Sequence, residues 1–152
     1  MEIKKVRGSE PVRYEKLRGG TFINVLAKEV QIEDGTQWEY WQTFTTELNT
    51  SRLDSLYKEV CLSAANMEYE DAVKELVGET PTSEIQTWTK QEQEARAWLA
   101  DSNTPTPFID ILSTARGVDK AYLVNKVVEK ADIYANSVGV LTGIRQKIED
   151  EI

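Results

Sequence analysis

The chain contains no histidine and one cysteine, Cys61. Arrangements that need an imidazole base, Ser-His-Asp or Cys-His, are excluded by composition, and so are histidine-ligated metals. Cys61 lies in the apolar pattern Leu56, Tyr57, Val60, Cys61, Ala64, where it is expected to be buried as a small hydrophobe with no second thiol to pair with. Acid–base or hard-cation chemistry would have to come from carboxylates, which are densest at Glu68, Glu70, Asp71 and Glu75. On a helix such a run reads as a solvated face, so no catalytic residue, metal ligand or cofactor is assigned. Neither GxxxxGK(S/T) nor GxGxxG occurs, and Gly19-Gly20 before Thr21-Phe22 reads as a turn into a strand. The remaining distinctive group is aromatic: Trp38, Tyr40, Trp41 and Phe44. Such residues line carbohydrate or peptide grooves, or fill a core. In a strand Trp38, Tyr40 and Phe44 share one face, read as core. Trp41 falls on the other with Thr43 and Thr45, which makes it the candidate for an exposed contact or for a second packed layer.

The elements that would position these groups form an α+β chain. Residues 22–32 are β-rich and end at Glu33-Asp34-Gly35-Thr36, where Asp-Gly predicts a type I′ hairpin turn into a second strand over 36–46. A further strand, over 2–7 or around 12–17, is expected to complete an antiparallel sheet, because an isolated hairpin is marginal in water. Asn49-Thr50-Ser51 offers helix N-caps, and Leu53, Leu56, Tyr57, Val60, Cys61 and Ala64 then recur on one helical face that should cover the sheet. A second short helix is predicted over 69–77, stopping at Gly78. The polar stretch Glu79-Thr80-Pro81-Thr82-Ser83 places a boundary there. The organisation is therefore an α+β domain over 1–79, a linker over 80–88, and a helical domain over 89–152.

In that second half Thr89-Lys90-Gln91-Glu92 fits a capping box, with Ala95, Trp98 and Leu99 as the buried face. Thr106 and Pro107 suit the N-cap and first position of the next helix. Ile109 and Leu112 should point inward, and Arg116-Gly117 should end it. Asp119 caps a final helix that meets no proline before the C-terminus. Along it Val124, Val127, Ala131, Tyr134, Val138, Leu141, Arg145, Ile148 and Ile152 recur at three- and four-residue steps, a heptad-like seam with one polar interruption. At about 1.5 Å per residue the helix spans roughly 48 Å, more than two short helices cover. Ala131, Ala135, Gly139 and Gly143 form an adjacent stripe with almost no side chain. Glycine inside a helix costs roughly 0.5–1 kcal/mol against alanine, so a closely packed neighbour is expected there, with Trp98 one candidate.

Three placements are open: the seam packs on helices at 90–101 and 107–116 of the same chain; residues 138–152 pack on another copy or another protein; or Gly139 marks a kink. The candidate partner interface is Trp41 with Val124, Val127, Ala131, Tyr134, Ala135, Val138, Gly139, Leu141, Gly143 and Ile148.

Charge and length narrow the classes of partner. The 152 residues carry 18 basic and 26 acidic side chains, a net charge of −8, which repels nucleic-acid phosphates and anionic lipid. The one local basic excess, Lys4, Lys5, Arg7, Arg13, Lys16 and Arg18, is interleaved with Glu2, Glu10 and Glu15 and reads as a solvated strand surface. No stretch approaches the roughly 18 apolar residues of a membrane helix. The N-terminus also lacks the apolar core of a secretory signal, so a cytoplasm-like setting is expected.

Several second-half features together resemble a known family: Trp88 with Gln91, Glu94-Ala95-Arg96-Ala97-Trp98-Leu99, Thr106-Pro107, Ala115-Arg116-Gly117, Lys130-Ala131, Gly139, and Gly143 with Arg145-Gln146. The run from 87 to 152 is similar to a helical C-terminal segment of small accessory proteins of tailed bacteriophages, of the tail-fibre-associated or tail-fibre-assembly type. The shared residues are caps, turns and packing positions and carry no chemistry across. The resemblance implies a virion part or assembly factor at the fibre and baseplate end of the tail, made in the host cytoplasm. Joined to the lack of catalytic groupings, it makes the leading expectation a non-enzymatic structural adaptor whose partners are fibre or baseplate proteins, with a second copy bound through the terminal helix as the partner that the seam itself admits. An assembly chaperone that leaves the particle is the alternative.

Overall fold

The computed structural model describes all 152 residues and has the expected α+β class. Its elements are β1 (Lys4–Gly8), β2 (Tyr14–Leu17), β3 (Gly20–Ile32), β4 (Gly35–Thr45), α1 (Thr50–Val77), α2 (Thr82–Ile85), α3 (Trp88–Ala100), α4 (Pro107–Arg116) and α5 (Lys120–Glu151). The strands form one antiparallel sheet in the order β1-β4-β3-β2. Both candidate outer strands are present, one on each edge. The chain divides into two compact units, Met1–Asp71 with Gly143–Ile152, and Ala72–Thr142. The divisions fall inside α1 and α5 rather than at 80–88, where α2 occupies the expected linker. The short helix predicted over 69–77 is the last part of α1, since nothing in Asn66-Met67-Glu68 breaks a helix.

In the first unit Ile23, Val25 and Trp41 of the sheet pack with Leu53, Val60, Cys61 and Ala64 of α1. The α1 face is the predicted one, and Asn49 caps it, its Oδ1 accepting from the Ser51 and Arg52 amides at 3.0 and 3.3 Å. The sheet face is the opposite of the expected one. Trp41 is 4% exposed and Phe44 46%. Cross-strand pairing explains the reversal: Trp41 lies opposite Val25 and Thr43 opposite Ile23, so the β-branched residues of β3 bring Trp41 inward with them. Phe44 instead stands edge-on to Phe22, centroids 5.3 Å apart, on the more open face. That face is anchored by polar groups, Gln42 Nε2 donating to Asn24 Oδ1 at 2.9 Å and Asn24 Nδ2 to the Val12 carbonyl at 2.8 Å.

The hairpin sits where predicted but with another turn. Ile32 pairs with Gly35, leaving Glu33-Asp34 as the loop. Neither has a positive φ, whereas Gly35 is at +133°. A type I′ turn needs positive φ at both central residues, so glycine serves here at the junction with β4.

The second unit has its own core of Ala95, Ile109, Leu123 and Val124, flanked by Trp98, Leu112 and Val127. Helix α3 begins at Trp88, one residue before the expected cap, and Thr87 makes no side-chain capping bond. Leu99 is exposed rather than inward. Helix α4 begins at Pro107 after Thr106 and stops at Gly117, φ 65°, as read from sequence. Asp119 caps α5, its Oδ2 accepting from the Tyr122 amide at 3.2 Å.

Candidate interface on the terminal helix

Helix α5 is continuous through Gly139, so no kink marks that residue. Its two faces differ. Of the predicted interface, Val124 is fully buried in the chain's own core. Val127, Ala131, Tyr134, Val138, Leu141 and Ile148 are half-buried. Tyr134 meets Trp88 edge-on at 5.3 Å, and Asp132 takes a hydrogen bond from Arg96, which raises the guanidinium's pKa further. Nearer the C-terminus Arg145 donates to Asn66 at 3.1 Å and to Glu149 at 2.8 Å, so the polar interruption of the seam is matched by polar partners. Trp41, proposed as an exposed contact, belongs to the core of the first unit and takes no part in a free surface.

Ala135, Gly139 and Gly143 are exposed. A Cβ built on either glycine would meet nothing within 4 Å. The close neighbour expected within the chain is therefore absent, and Trp98 packs in the second unit's core instead. Helical phase is the reason: the seam's half-buried residues centre on Val127, Tyr134 and Val138, and the glycines lie about 100–160° round the helix from that line. The same geometry exposes large apolar side chains that the seam did not include, Ile133 at 59%, Val140 at 64% and Ile144 at 54%. They recur at seven- and four-residue steps, and residues 133–144 carry no charge. That gap in charge is the signal the sequence did offer. A solvent-facing helix normally carries charge on its outer face; an uncharged outer face with three large aliphatics is a surface prepared for contact. Scans against protein-family models, curated proteins and solved structures return no match. The reading of this surface therefore rests on its own geometry.

Elsewhere in the first unit, a β-bulge builds a charged cluster that the sequence did not announce. Between Val25 and Lys28 the β3–β4 register shifts, with Leu26 at φ 52°. Two residues of β3 oppose one of β4, which turns Lys28 onto the face it would otherwise leave. There Glu39 accepts from Arg7 Nε at 2.9 Å and lies 3.7 Å from Lys5 and 3.6 Å from Lys28. The Arg7 hydrogen bond, helped by both lysines, holds the Glu39 carboxyl below the usual carboxylate range against the opposing effect of burial. Glu68, which the sequence grouped with an acidic run, reaches from α1 to accept the Trp41 Nε1–H at 2.9 Å and sits within 4.0 Å of Lys5. The cluster's carboxylates are thus committed to fastening the sheet to α1 and to its own cations. No group of three or more metal-ligating side chains is brought together. A groove of about 550 Å³ lies against α1, where Arg13 stacks 4.2 Å over Tyr57 and burial pushes the Cys61 thiol up, keeping it protonated at neutral pH.

Proposed function

We propose that this chain is a structural adaptor or accessory protein of a bacteriophage tail, supporting or linking fibre and baseplate components through protein–protein contacts. The observation that carries the contact role is the outer face of α5, with Ile133, Val140 and Ile144 more than half exposed along a stretch without charge. Solvation of that face gains nothing, and covering it with a partner helix removes apolar area from water. The phage setting is supported by the resemblance of residues 87–152, and the net charge of −8 suits a protein surface better than a phosphate backbone. No helix is long and apolar enough to cross a membrane.

The test is quantitative mass spectrometry of purified particles from a phage carrying this gene, with the wild-type chain and with Val140→Glu. The adaptor role predicts a fixed copy number in wild-type particles and its loss in the variant, whose circular dichroism stays helical. Absence of the wild-type chain from mature particles, with fibre assembly still dependent on it, would replace the adaptor with the assembly chaperone. Dispensability for both would refute the tail role.

A further inference from the structure

We propose that the outer face of α5 pairs with the same face of a second copy of this chain, antiparallel, about a two-fold axis at the level of Val138. This rests on reading α5 as a contact helix and goes further by naming the occupant and the register. From Lys126 to Asp150 the outer face steps by three and four residues through Ile133 and Val140, and every residue on that line is exposed. Its positions are Lys126, Glu129, Ile133, Asn136, Val140, Gly143, Lys147 and Asp150, the spacing of a coiled-coil seam with two aliphatic residues in the middle and charges at both ends.

In an antiparallel pair each a position faces a d position of the other helix. With the axis at Val138, Lys126 faces Asp150, Glu129 faces Lys147, Ile133 faces Gly143 and Val140 faces Asn136, each twice by symmetry. Both charged layers set opposite signs against each other. The exposed Ile133 finds a residue without a side chain, around which a Cβ would meet nothing within 4 Å. A shift of one heptad either way removes every opposite-charge layer: one shift sets Val140 against Glu129, the other sets Ile133 against Asp150. A parallel in-register pair places Lys126, Glu129, Lys147 and Asp150 each against its own copy, four like-charge layers. Of these arrangements only the first sets opposite charges in both outer layers and gives Ile133 room beside a glycine. In the isolated chain the same charges have only loose exposed partners, Lys126 with Glu129 at 3.2 Å and Lys147 with Glu151 at 3.9 Å, so pairing need not break a buried bond.

Size sets the strength. Lys126 to Asp150 spans about 36 Å, and a helix face about 10 Å wide gives roughly 360 Å² per copy, below the roughly 800 Å² per partner of a standard stable interface. The dimer is therefore concentration-dependent and sensitive to salt.

The experiment is sedimentation equilibrium of the full chain up to about 1 mM at low salt, with circular dichroism on each variant. The wild type is expected to dimerise. Lys147→Glu sets two like-charge layers into each dimer and is expected to weaken association by about tenfold. Adding Glu129→Lys to the same chain restores opposite signs in both layers and should recover most of the loss. A wild type that stays monomeric to about 1 mM overturns the pairing, and a dimer whose double variant is no better than Lys147→Glu alone overturns the register. A monomeric chain found in purified particles ends the self-pairing and leaves the adaptor role standing; a dimer absent from particles does the reverse.

Discussion

Truncation of Trp41 and of Phe44 puts the two faces of the sheet in direct competition. Trp41 is 4% exposed, packs within the cluster of Ile23, Val25, Leu53 and Val60, and donates its indole hydrogen to Glu68. Replacing a buried large aromatic by alanine costs about 3–5 kcal/mol, from lost transfer energy and the cavity left behind. Trp41→Phe keeps most of the volume and removes the donor to a carboxylate, which is worth about 1–2 kcal/mol, while Lys5 and Lys28 still neutralise Glu68. Phe44 is 46% exposed and keeps one ring contact, with Phe22. Its truncation opens no closed cavity, and removal of roughly 100 Å² of covered area gives an upper limit near 2.5 kcal/mol, with about 1 kcal/mol expected. Urea unfolding followed by far-ultraviolet circular dichroism measures all three variants on one scale, with unchanged m values as the check that only the native state was altered. The expected order of cost is Trp41→Ala, then Trp41→Phe, with Phe44→Ala comparable to the latter or smaller. A Phe44→Ala variant less stable than Trp41→Ala would mean that the sheet buries its other face and that Trp41 is not part of the core.

Glu39 has a folded-state pKa below 4.5, so its contribution to stability is present above that value and lost as pH falls through the depressed one. Glu39→Gln is expected to lower stability at neutral pH and to flatten the acid limb of a stability-against-pH curve, measured by thermal unfolding. Tyr14, pushed up to about 12 by burial and by its hydrogen bond to Asp54, favours the protonated native state. Its stabilisation is complete below 10 and is lost as pH rises towards 12, and the tyrosinate absorbance of Tyr14→Phe should lack one phenol that titrates near 12 in the wild type. Glu94 accepts from the Ile109 amide at 2.8 Å and the Phe108 amide at 3.3 Å, capping α4 from α3; Glu94→Ala should cost about 1–2 kcal/mol, as loss of an N-cap does, and hydrogen exchange should quicken first at those amides. Gly139 has open space where a Cβ would sit, so Gly139→Ala should stabilise the chain by about 0.5–1 kcal/mol in thermal melts at dilution. A destabilised Gly139→Ala would reveal a close neighbour at that position after all.

The features legible along the chain were those set by local chemistry. Caps at Asn49 and Asp119, the proline start at Pro107, the stops at Gly78 and Gly117, and the apolar face of α1 follow from backbone geometry within a few residues. The same local rules overreached where a second element competed for the same atoms. Thr89 to Glu92 can form a capping box in principle, but α3 starts earlier, after the turns of α2, and the box positions lie inside the helix. The amides at the start of α4 are satisfied by Glu94, fifteen residues before Ile109, beyond the reach of any capping motif.

The terminal helix shows the division most clearly. By itself the sequence determined that residues from Asp119 on are helical, with apolar residues at three- and four-residue steps and glycines sharing a side, because these depend only on propensity and the period of the helix; that the helix runs unbroken through Gly139 came from the structure. Tertiary structure alone decided which stripe is covered, placing Val124 in a core and leaving Ile133, Val140, Gly139 and Gly143 outside. On β4, likewise, alternation assigned the aromatics to two faces, but only pairing with Ile23 and Val25 chose which face is inside. A strand or helix can present either side to a core, and the element packed against it selects between them; that selection is a long-range energy that no local pattern contains.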